Sequence, residues 1–166
     1  MDEGAPDAPE PPEGGIVEPT DHDMEIKVRR VTSAQRGPLR HAIEDVLAEP
    51  EPGIWAGGQQ VDTTMVDGEE KPVLQFPYVK YSASVDSLIE ALYEASLIVP
   101  FDWMKWKGSG QTTELSLADA VRTITAAVRG ERFGDGVLLE ALKDGRMTRA
   151  LERLRAALAD NDSSSG

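Results

Sequence analysis

The sequence predicts an α+β fold that is mainly α, with about five amphipathic helices and a small β-hairpin or meander. Apolar residues recur at helical spacing in five segments between residue 37 and residue 159. Between the first two of these segments, over residues 54–81, the helical spacing gives way to β-forming residues with Gly, Thr and Pro. The 166 residues suit a single domain, because one hydrophobic core commonly occupies about 100 to 200 residues.

The first 23 residues differ from the rest in composition. They hold eight acidic residues and five prolines but no lysine or arginine, and so they account for most of the net charge of −13. Such a segment cannot bury enough apolar surface to offset the entropy lost on ordering. We therefore predict a disordered, acidic, Pro-rich leader over residues 1–23, a single globular domain over residues 24–159, and a disordered tail over residues 160–166.

Composition also limits the function classes. The absence of cysteine excludes a disulfide framework, a thiol nucleophile and a cysteine-based zinc site. The two histidines, His22 and His41, are isolated, so we predict no metal site and no cofactor. No apolar run approaches the roughly 18 residues of a membrane span, and the acidic leader lacks the basic and apolar parts of a secretion signal. We predict a cytoplasmic protein without a membrane partner.

The first element of the domain is predicted to be a strand. Met24, Ile26 and Val28 alternate with charged residues, and this spacing is typical of a half-buried strand over residues 24–32. A Gly-Pro pair at residues 37–38 then predicts the start of the first helix, because proline is preset for the first helical position.

A β-hairpin is predicted around Asp67 and Gly68. A two-residue Asp-Gly loop favours the turn whose twist suits two paired strands, and β-forming residues lie on both sides of it. Pro72 and Pro77 lack the N–H group that a central strand donates. The hairpin is therefore expected at the edge of a sheet.

The later helices are predicted from their caps and apolar stripes. Polar residues suited to capping are Ser82 or Ser84, Ser116 and Thr148. The helix after residue 82 is expected to end near Val99, where a proline follows, and a further helix is expected over residues 135–144. The stripes predict a core of Leu39, Ile43, Val46, Leu88, Leu92, Val121, Ile124, Leu138, Leu142, Leu151 and Leu154.

Four short motifs occur in a characteristic order. They are PYxxxS at residues 77–82, Leu-Tyr at residues 92–93, FDWxxW at residues 101–106 and RxxRFxxG at residues 129–136. With these motifs the sequence resembles a family of small actinobacterial and phage-associated domains of unknown function, over about residues 37–158. The resemblance implies a compact, mainly helical domain, and it implies no activity or ligand.

The segment 99–106 contains two of the three tryptophans and the best candidate carboxylate. Asp102 lies between Phe101 and Trp103, and apolar neighbours raise the pKa of a carboxyl group toward the range useful for acid–base chemistry. The alternative is that Asp102 caps a turn or forms an ion pair with Arg129 or Arg132 while the rings complete the core. Solvated helix faces are predicted for the other acids, Glu90, Glu94, Glu131 and Glu140.

Three functions remain open on these grounds. The leading hypothesis is a non-enzymatic protein-interaction module of a bacterium or its mobile element, with an unidentified protein partner. Its anchors would be Tyr78, Trp103 and Trp106, because aromatic side chains supply much of the energy at small interfaces. An alternative is a small hydrolase-like enzyme in which Asp102 acts with an arginine that orients an anionic substrate.

The other alternative is an accessory protein that binds nucleic acid. Arg146, Arg149 and Arg153 would share one face of the last helix and could meet phosphate groups. The acidic net charge opposes this function, so we favour a solvated helix face. A further possibility is that the acidic leader folds back over these arginines and masks them.

Overall fold

The computed structural model describes residues 17–106, 108 and 114–160, with the backbone of residues 161–163. The predicted α+β, mainly helical fold is confirmed. The helices are α1 Asp21–Arg29, α2 Ser33–Ala48, α3 Ala83–Glu94, α4 Leu117–Glu131, α5 Val137–Lys143 and α6 Arg146–Ser163, with a 3₁₀ turn, η1, at Trp103–Lys105. The strands are β1 Gly53–Ala56, β2 Gln60–Val66, β3 Glu69–Leu74 and β4 Tyr78–Tyr81.

Helix α1 occupies the segment for which a strand was predicted, so that prediction is wrong. Thr20 caps the helix: its hydroxyl accepts the N–H of Asp23 at 3.2 Å, and the carboxylate of Asp23 accepts the N–H of Thr20 at 2.8 Å. Met24 and Val28, one helical turn apart, are buried. Because these two residues fit both an alternating and a helical spacing, the cap decides between them.

Helix α2 begins before the predicted Gly-Pro start. The hydroxyl of Thr32 accepts the N–H of Gln35 at 3.3 Å, and Oε1 of Gln35 accepts the N–H of Thr32 at 3.1 Å. The helix therefore starts at Ser33, and Pro38 lies inside it. The amide of Gln35 also donates to the carbonyl of Glu94 at 2.8 Å, which ties the start of α2 to the end of α3.

The strands form two antiparallel pairs, β1 with β4 and β2 with β3. The hairpin predicted at Asp67 and Gly68 is confirmed: both residues have positive φ, 53° and 81°, as a primed turn requires. We call residues 60–74 the β-arm. Its residues are exposed except Val73, which is half-buried, so the arm extends away from the core.

Ser82 caps α3 as predicted, but the helix ends at Glu94 and not near Val99. Ser96 adopts a left-handed conformation with φ 57°, and the N–H of the following Leu97 bonds to the carbonyl of Leu92 at 3.0 Å. This geometry closes the last turn of a helix. The chain after it is free to leave the helix axis and to bury Leu97 and Val99.

The core lies among the helices. Helix α4 packs against α1, α5 and α6, and α2 packs against α3 and α6. The predicted core residues are buried, except Leu142, which is half-buried. Ser116 caps α4 as predicted, whereas α6 begins before Thr148, because the carboxylate of Asp144 accepts the N–H of Arg146 at 2.9 Å.

The first and last helices extend past residues 24–159, the range predicted for the globular domain. Helix α1 begins within the predicted leader, and α6 runs to Ser163, within the predicted tail. The disorder predicted for residues 1–16 and 164–166, and the loop predicted at residues 107 and 109–112, concern residues outside the described ones.

Candidate functional site

The aromatic segment after α3 lies against α4 through η1. Phe101 is buried and meets the ring of Trp106 edge-on, with the centroids 6.3 Å apart. The guanidinium of Arg122 lies over the ring of Trp106, 5.6 Å from its centroid, and forms a cation–π pair with it. The buried Nε1 of Trp106 has no hydrogen-bond acceptor among the described residues. Trp106 is half-buried and packs against the core.

Trp103 faces a different direction and stacks on Phe133. Their centroids are 5.4 Å apart and the planes are tilted by 31°. Gly130 lies beneath them: a β-carbon at this position would come within 2.8 Å of Val137 and 3.7 Å of Trp103. The ring of Phe133 covers that of Trp103, but Phe133 itself is 80% exposed.

Trp55, on β1, lies over the same loop that carries Phe133, whereas Trp103 is half-buried and packs against the core. The indole of Trp55 lies over Gly136, immediately before Val137, and a β-carbon on Gly136 would be 2.5 Å from its Cζ2 atom. Trp55 is 54% exposed. We call Trp55, Trp103, Phe133 and Val137 the aromatic surface. Met104, also exposed, adjoins Trp103 in η1.

A polar network holds the loop that carries Phe133 and Gly136. The carboxylate of Glu131 accepts the N–H groups of Gly136 at 3.0 Å and Leu138 at 2.9 Å. The hydroxyl of Tyr81 bonds to Glu131 and accepts the N–H of Leu139 at 3.2 Å. Burial and the neighbouring Glu131 carboxylate raise the pKa of Tyr81 well above its usual value.

Glu131 was predicted to lie on a solvated helix face, and that prediction is wrong. It is half-buried at the end of α4, where its two oxygens bond to backbone N–H groups at the start of α5. The bonds connect residues five and seven positions apart across an irregular loop. Helical spacing alone does not reveal such a contact.

Asp102 has an electrostatic environment opposite to the predicted one. Its carboxylate lies 2.8 Å from Nζ of Lys105, and the hydrogen bond from this ammonium group lowers the pKa of Asp102. The predicted rise in pKa is therefore wrong, because the carboxylate faces Lys105 and solvent and not its aromatic neighbours in sequence. The N–H of Asp102 donates to Oε1 of Glu18 at 2.9 Å.

Within the described residues, neither of the two arginines predicted beside Asp102 forms an ion pair with it. The carboxylate is paired with Lys105. Arg129 is half-buried, and its buried Nε has no acceptor among the described residues. Arg132 is exposed at the end of α4, next to Phe133. The acid and the arginine that the hydrolase hypothesis needs are thus not joined by an ion pair in the part of the chain described.

Tyr78 lies on β4, and its position is defined by its pairing with β1. It pairs with Ala56 across β1 and β4, while Trp55 pairs with Val79. Because neighbouring residues of a strand point to opposite faces, Tyr78 and Trp55 lie on opposite faces of the strand pair. Of the three predicted anchors, only Trp103 belongs to the aromatic surface.

The three arginines of the last helix do not form an open stripe. Arg146 is paired with Asp144, with Nε 2.6 Å from the carboxylate. Arg153 is half-buried; its Nε donates to the carbonyl of Leu115 at 3.2 Å, and its side chain lines a cleft together with those of Glu25 and Asp160. Arg149 is exposed. A phosphate backbone would therefore find these cations partly engaged by the protein.

Sequence reasoning did not select Trp55, Phe133 or Val137 as site residues. Phe133 was within reach, because it belongs to the RxxRFxxG motif and follows a helix without entering the predicted core. Trp55 carried no such signal, since only folding brings β1 to the start of α5.

Among the described residues, no group of three or more His, Asp or Glu side chains is placed to hold a metal ion. None of the described helices combines the length and apolar composition needed to cross a membrane.

Comparisons with known proteins give a family and nothing more specific. The model of a family of unknown function, DUF6508, matches residues 42–160, a range that includes the positions of all four motifs and the whole aromatic surface. Neither the curated proteins nor the solved structures contain a match. Because the match covers more than half of the 166 residues, the chain belongs to this family of unknown function, DUF6508.

Proposed function

We propose that the protein is a non-enzymatic protein-interaction module of a bacterium or its mobile element, and that the aromatic surface is its binding site. The observation that carries this proposal is the set of rings at the loop between α4 and α5. The exposed ring of Phe133 covers the half-buried Trp103, and the exposed ring of Trp55 lies over Gly136. Contiguous exposed apolar patches mark interaction sites, and buried tryptophan and other large anchors dominate the energy of interfaces.

The rings are held in place before any partner arrives. Trp103 rests over Gly130, Trp55 rests over Gly136, and the Glu131 carboxylate fixes the loop between them. A site that is already ordered loses less conformational entropy on binding than a mobile one. This support favours a recognition surface over an incidental exposure of single apolar residues.

The surface also suggests the chemistry of its partner. Phe133 projects beyond the other rings and Arg132, exposed, precedes it in the chain. A complementary protein would offer an apolar cleft for Phe133 and a carboxylate for Arg132, because arginine at an interface pairs well with carboxylates.

Site-specific crosslinking tests the proposal. Benzoylphenylalanine replaces Phe133 in one variant and Tyr93, an exposed aromatic residue of α3, in a matched control. After irradiation in the native host, we expect a protein crosslinked from position 133 and not from position 93. The same products from both positions, or none from position 133, would contradict the proposal.

The affinity for the captured protein gives a second test. Phe133→Ser and Tyr93→Ser remove exposed aromatic rings of similar size from the two places. Loss of an interface hot spot costs at least about 2 kcal/mol, so Phe133→Ser is expected to weaken binding about thirtyfold. Tyr93→Ser is expected to leave the affinity unchanged, and both variants should retain the wild-type melting temperature.

A further inference from the structure

The β-arm carries a second feature that the aromatic surface does not use. Both of its strands are exposed except at Val73, and a two-stranded hairpin leaves an outer edge on each strand. Unpaired N–H and C=O groups at such an edge are a template for another strand. The two edges of this arm are not equivalent.

Two observations define which backbone groups point outward. Pro72 faces Thr63 across the arm, and it has no N–H to donate. The N–H of Thr63 bonds to the side chain of Asp62 at 2.8 Å. Both facts assign Thr63 and Pro72 to a pair without mutual hydrogen bonds. In an antiparallel ladder such pairs alternate with bonded ones, so Met65 and Glu70, two residues along, also direct their backbone groups outward.

The outer edge of β2 is therefore complete, and that of β3 is interrupted. On β2, Thr63 and Met65 each direct an N–H and a carbonyl outward, where a neighbouring strand could bond to them. The N–H of Thr63 would first have to leave its hydrogen bond with the side chain of Asp62. On β3, Pro72 leaves a gap in the row of donors beside Glu70. Proline on an edge strand is a common protection against strand pairing. An added strand fits β2 and not β3.

The charge of the β-arm and its exposed apolar side chains indicate which kind of segment could pair with β2. The β-arm contains four acidic residues and one lysine, a net charge of −3, namely Asp62, Asp67, Glu69, Glu70 and Lys71. Val61 and Met65 on β2 are exposed as well. A second copy of the arm would bring like charges together, and the acidic residues 1–23 of this chain would be repelled in the same way. An extended segment that alternates basic and apolar residues is complementary.

We infer that the outer edge of β2 binds an extended, lysine- or arginine-containing segment of a partner protein as an added antiparallel or parallel β-strand. The backbone of Thr63 and Met65 would pair with the segment, and Asp62 and the turn acids would attract its basic side chains. This edge shares no residue with the aromatic surface, so the inference is independent of the proposed function.

The test uses the full chain and three labelled peptides at low salt, with binding followed by fluorescence anisotropy. The first is Lys-Val-Lys-Val-Thr-Val-Lys-Val-Lys; the second has proline at its two central valines and keeps the charge; the third has glutamate in place of lysine. We expect the first peptide alone to bind and to slow amide exchange at Thr63 and Met65. Equal binding of the proline peptide, slowed exchange elsewhere, or no binding of the first peptide would overturn the inference.

Matched variants assign the edge. Met65→Pro and Glu70→Pro remove outward N–H groups from directly opposed positions, and neither removes a backbone hydrogen bond between the strands. Glu70→Pro also removes the carboxylate oxygen that accepts the hydroxyl of Thr63 at 3.0 Å. Glu70→Gln measures the effect of the charge alone. Met65→Pro is expected to lower the affinity for the first peptide at least about tenfold, while Glu70→Pro is expected to have the same affinity as Glu70→Gln. Wild-type binding by Met65→Pro overturns the inference.

The two surfaces are separated by Phe133→Ser. We expect this variant to bind the first peptide as the wild type does. If Phe133→Ser abolishes peptide binding, the peptide occupies the aromatic surface; the assignment to β2 is then wrong, and the proposed function is unaffected.

Discussion

Trp55 lies so close to Gly136 that a β-carbon at position 136 would be 2.5 Å from the indole Cζ2 atom. Gly136 also has φ 90°, a conformation that L side chains rarely adopt. The last residue of the RxxRFxxG motif thus has two separate reasons to be glycine. One belongs to the backbone at the start of α5, and the other belongs to the aromatic surface.

Two glycine variants separate these reasons. Gly145 has φ 85° but open space where a β-carbon would stand. Gly145→Ala is expected to lower the free energy of unfolding by about 1 kcal/mol, from the left-handed conformation alone. Gly136→Ala adds the displacement of Trp55 and is expected to cost about 2 to 3 kcal/mol. Urea denaturation measures both values; equal losses would contradict a role for Trp55.

The hydroxyl of Tyr81 is predicted to stabilise the loop between α4 and α5. Tyr81→Phe removes the group that bonds to Glu131 and accepts the N–H of Leu139. We expect the free energy of unfolding to fall by about 1 to 2 kcal/mol, because a partly buried N–H loses its acceptor. Tyr78→Phe, on the exposed face of the same strand, is the control and should change it by less than about 0.5 kcal/mol. A similar loss in both variants would argue against the network.

The same hydroxyl makes stability depend on alkaline pH. The pKa of Tyr81 is raised in the folded protein above the ordinary value of 10.0. The unfolded chain therefore loses this proton first, and its favourable contribution, complete below about pH 10, declines as the pH rises above that value. The stability difference between the wild type and Tyr81→Phe is therefore expected to shrink as the pH rises above about 10. A constant difference would contradict the shift.

Thr125 is a fully buried polar residue of α4 that bonds to the backbone of residues 97–99, which follow α3. Its hydroxyl accepts the N–H of Val99 at 3.2 Å and donates to the carbonyl of Leu97 at 3.4 Å. Thr125→Val keeps the shape and leaves both backbone groups unpaired, so we expect a loss of about 2 kcal/mol in thermal or urea unfolding. Thr123→Val, half-buried on the same helix, is the matched control and should have little effect.

Much of the fold followed from local patterns, and the errors share a cause. The stripes that include Leu39, Leu92 and Ile124 identified the core, because helical periodicity reports burial directly. The strand predicted over residues 24–32 failed because Met24 and Val28 fit two periods at once. Only the hydrogen bonds of Thr20, outside the apolar pattern, select the helix.

The candidate site was less accessible from sequence, because long-range contacts create it. Trp103 was selected from the density of rings around it, and its stacking partner Phe133 lies in the loop that follows α4 in the chain. The pKa of Asp102 was predicted from its neighbours in sequence, whereas the orientation of its side chain toward Lys105 determines the shift. Directions of side chains in irregular turns have no periodic signature.

The ion pair of Asp102 and Lys105 gives the final prediction, which concerns acid pH. The hydrogen bond from Lys105 lowers the pKa of Asp102 below 3.8, and Asp102 in turn raises the pKa of Lys105. The lowered value means that the folded protein holds the proton less tightly than the unfolded chain. The stabilisation is therefore present above the unfolded pKa and is lost as the pH falls through the folded one.

Carboxyl carbon chemical shifts followed against pH measure this directly. In Lys105→Gln the midpoint of Asp102 is expected to move upward toward 3.8, because the charged donor is gone. Glu18→Gln, which changes the residue that bonds to the N–H of Asp102 and not to its carboxylate, serves as the control and should move the midpoint less. An Asp102 midpoint above 3.8 in the wild type would restore the acid–base hypothesis, because only a raised pKa gives this carboxyl group a proton to donate near neutral pH.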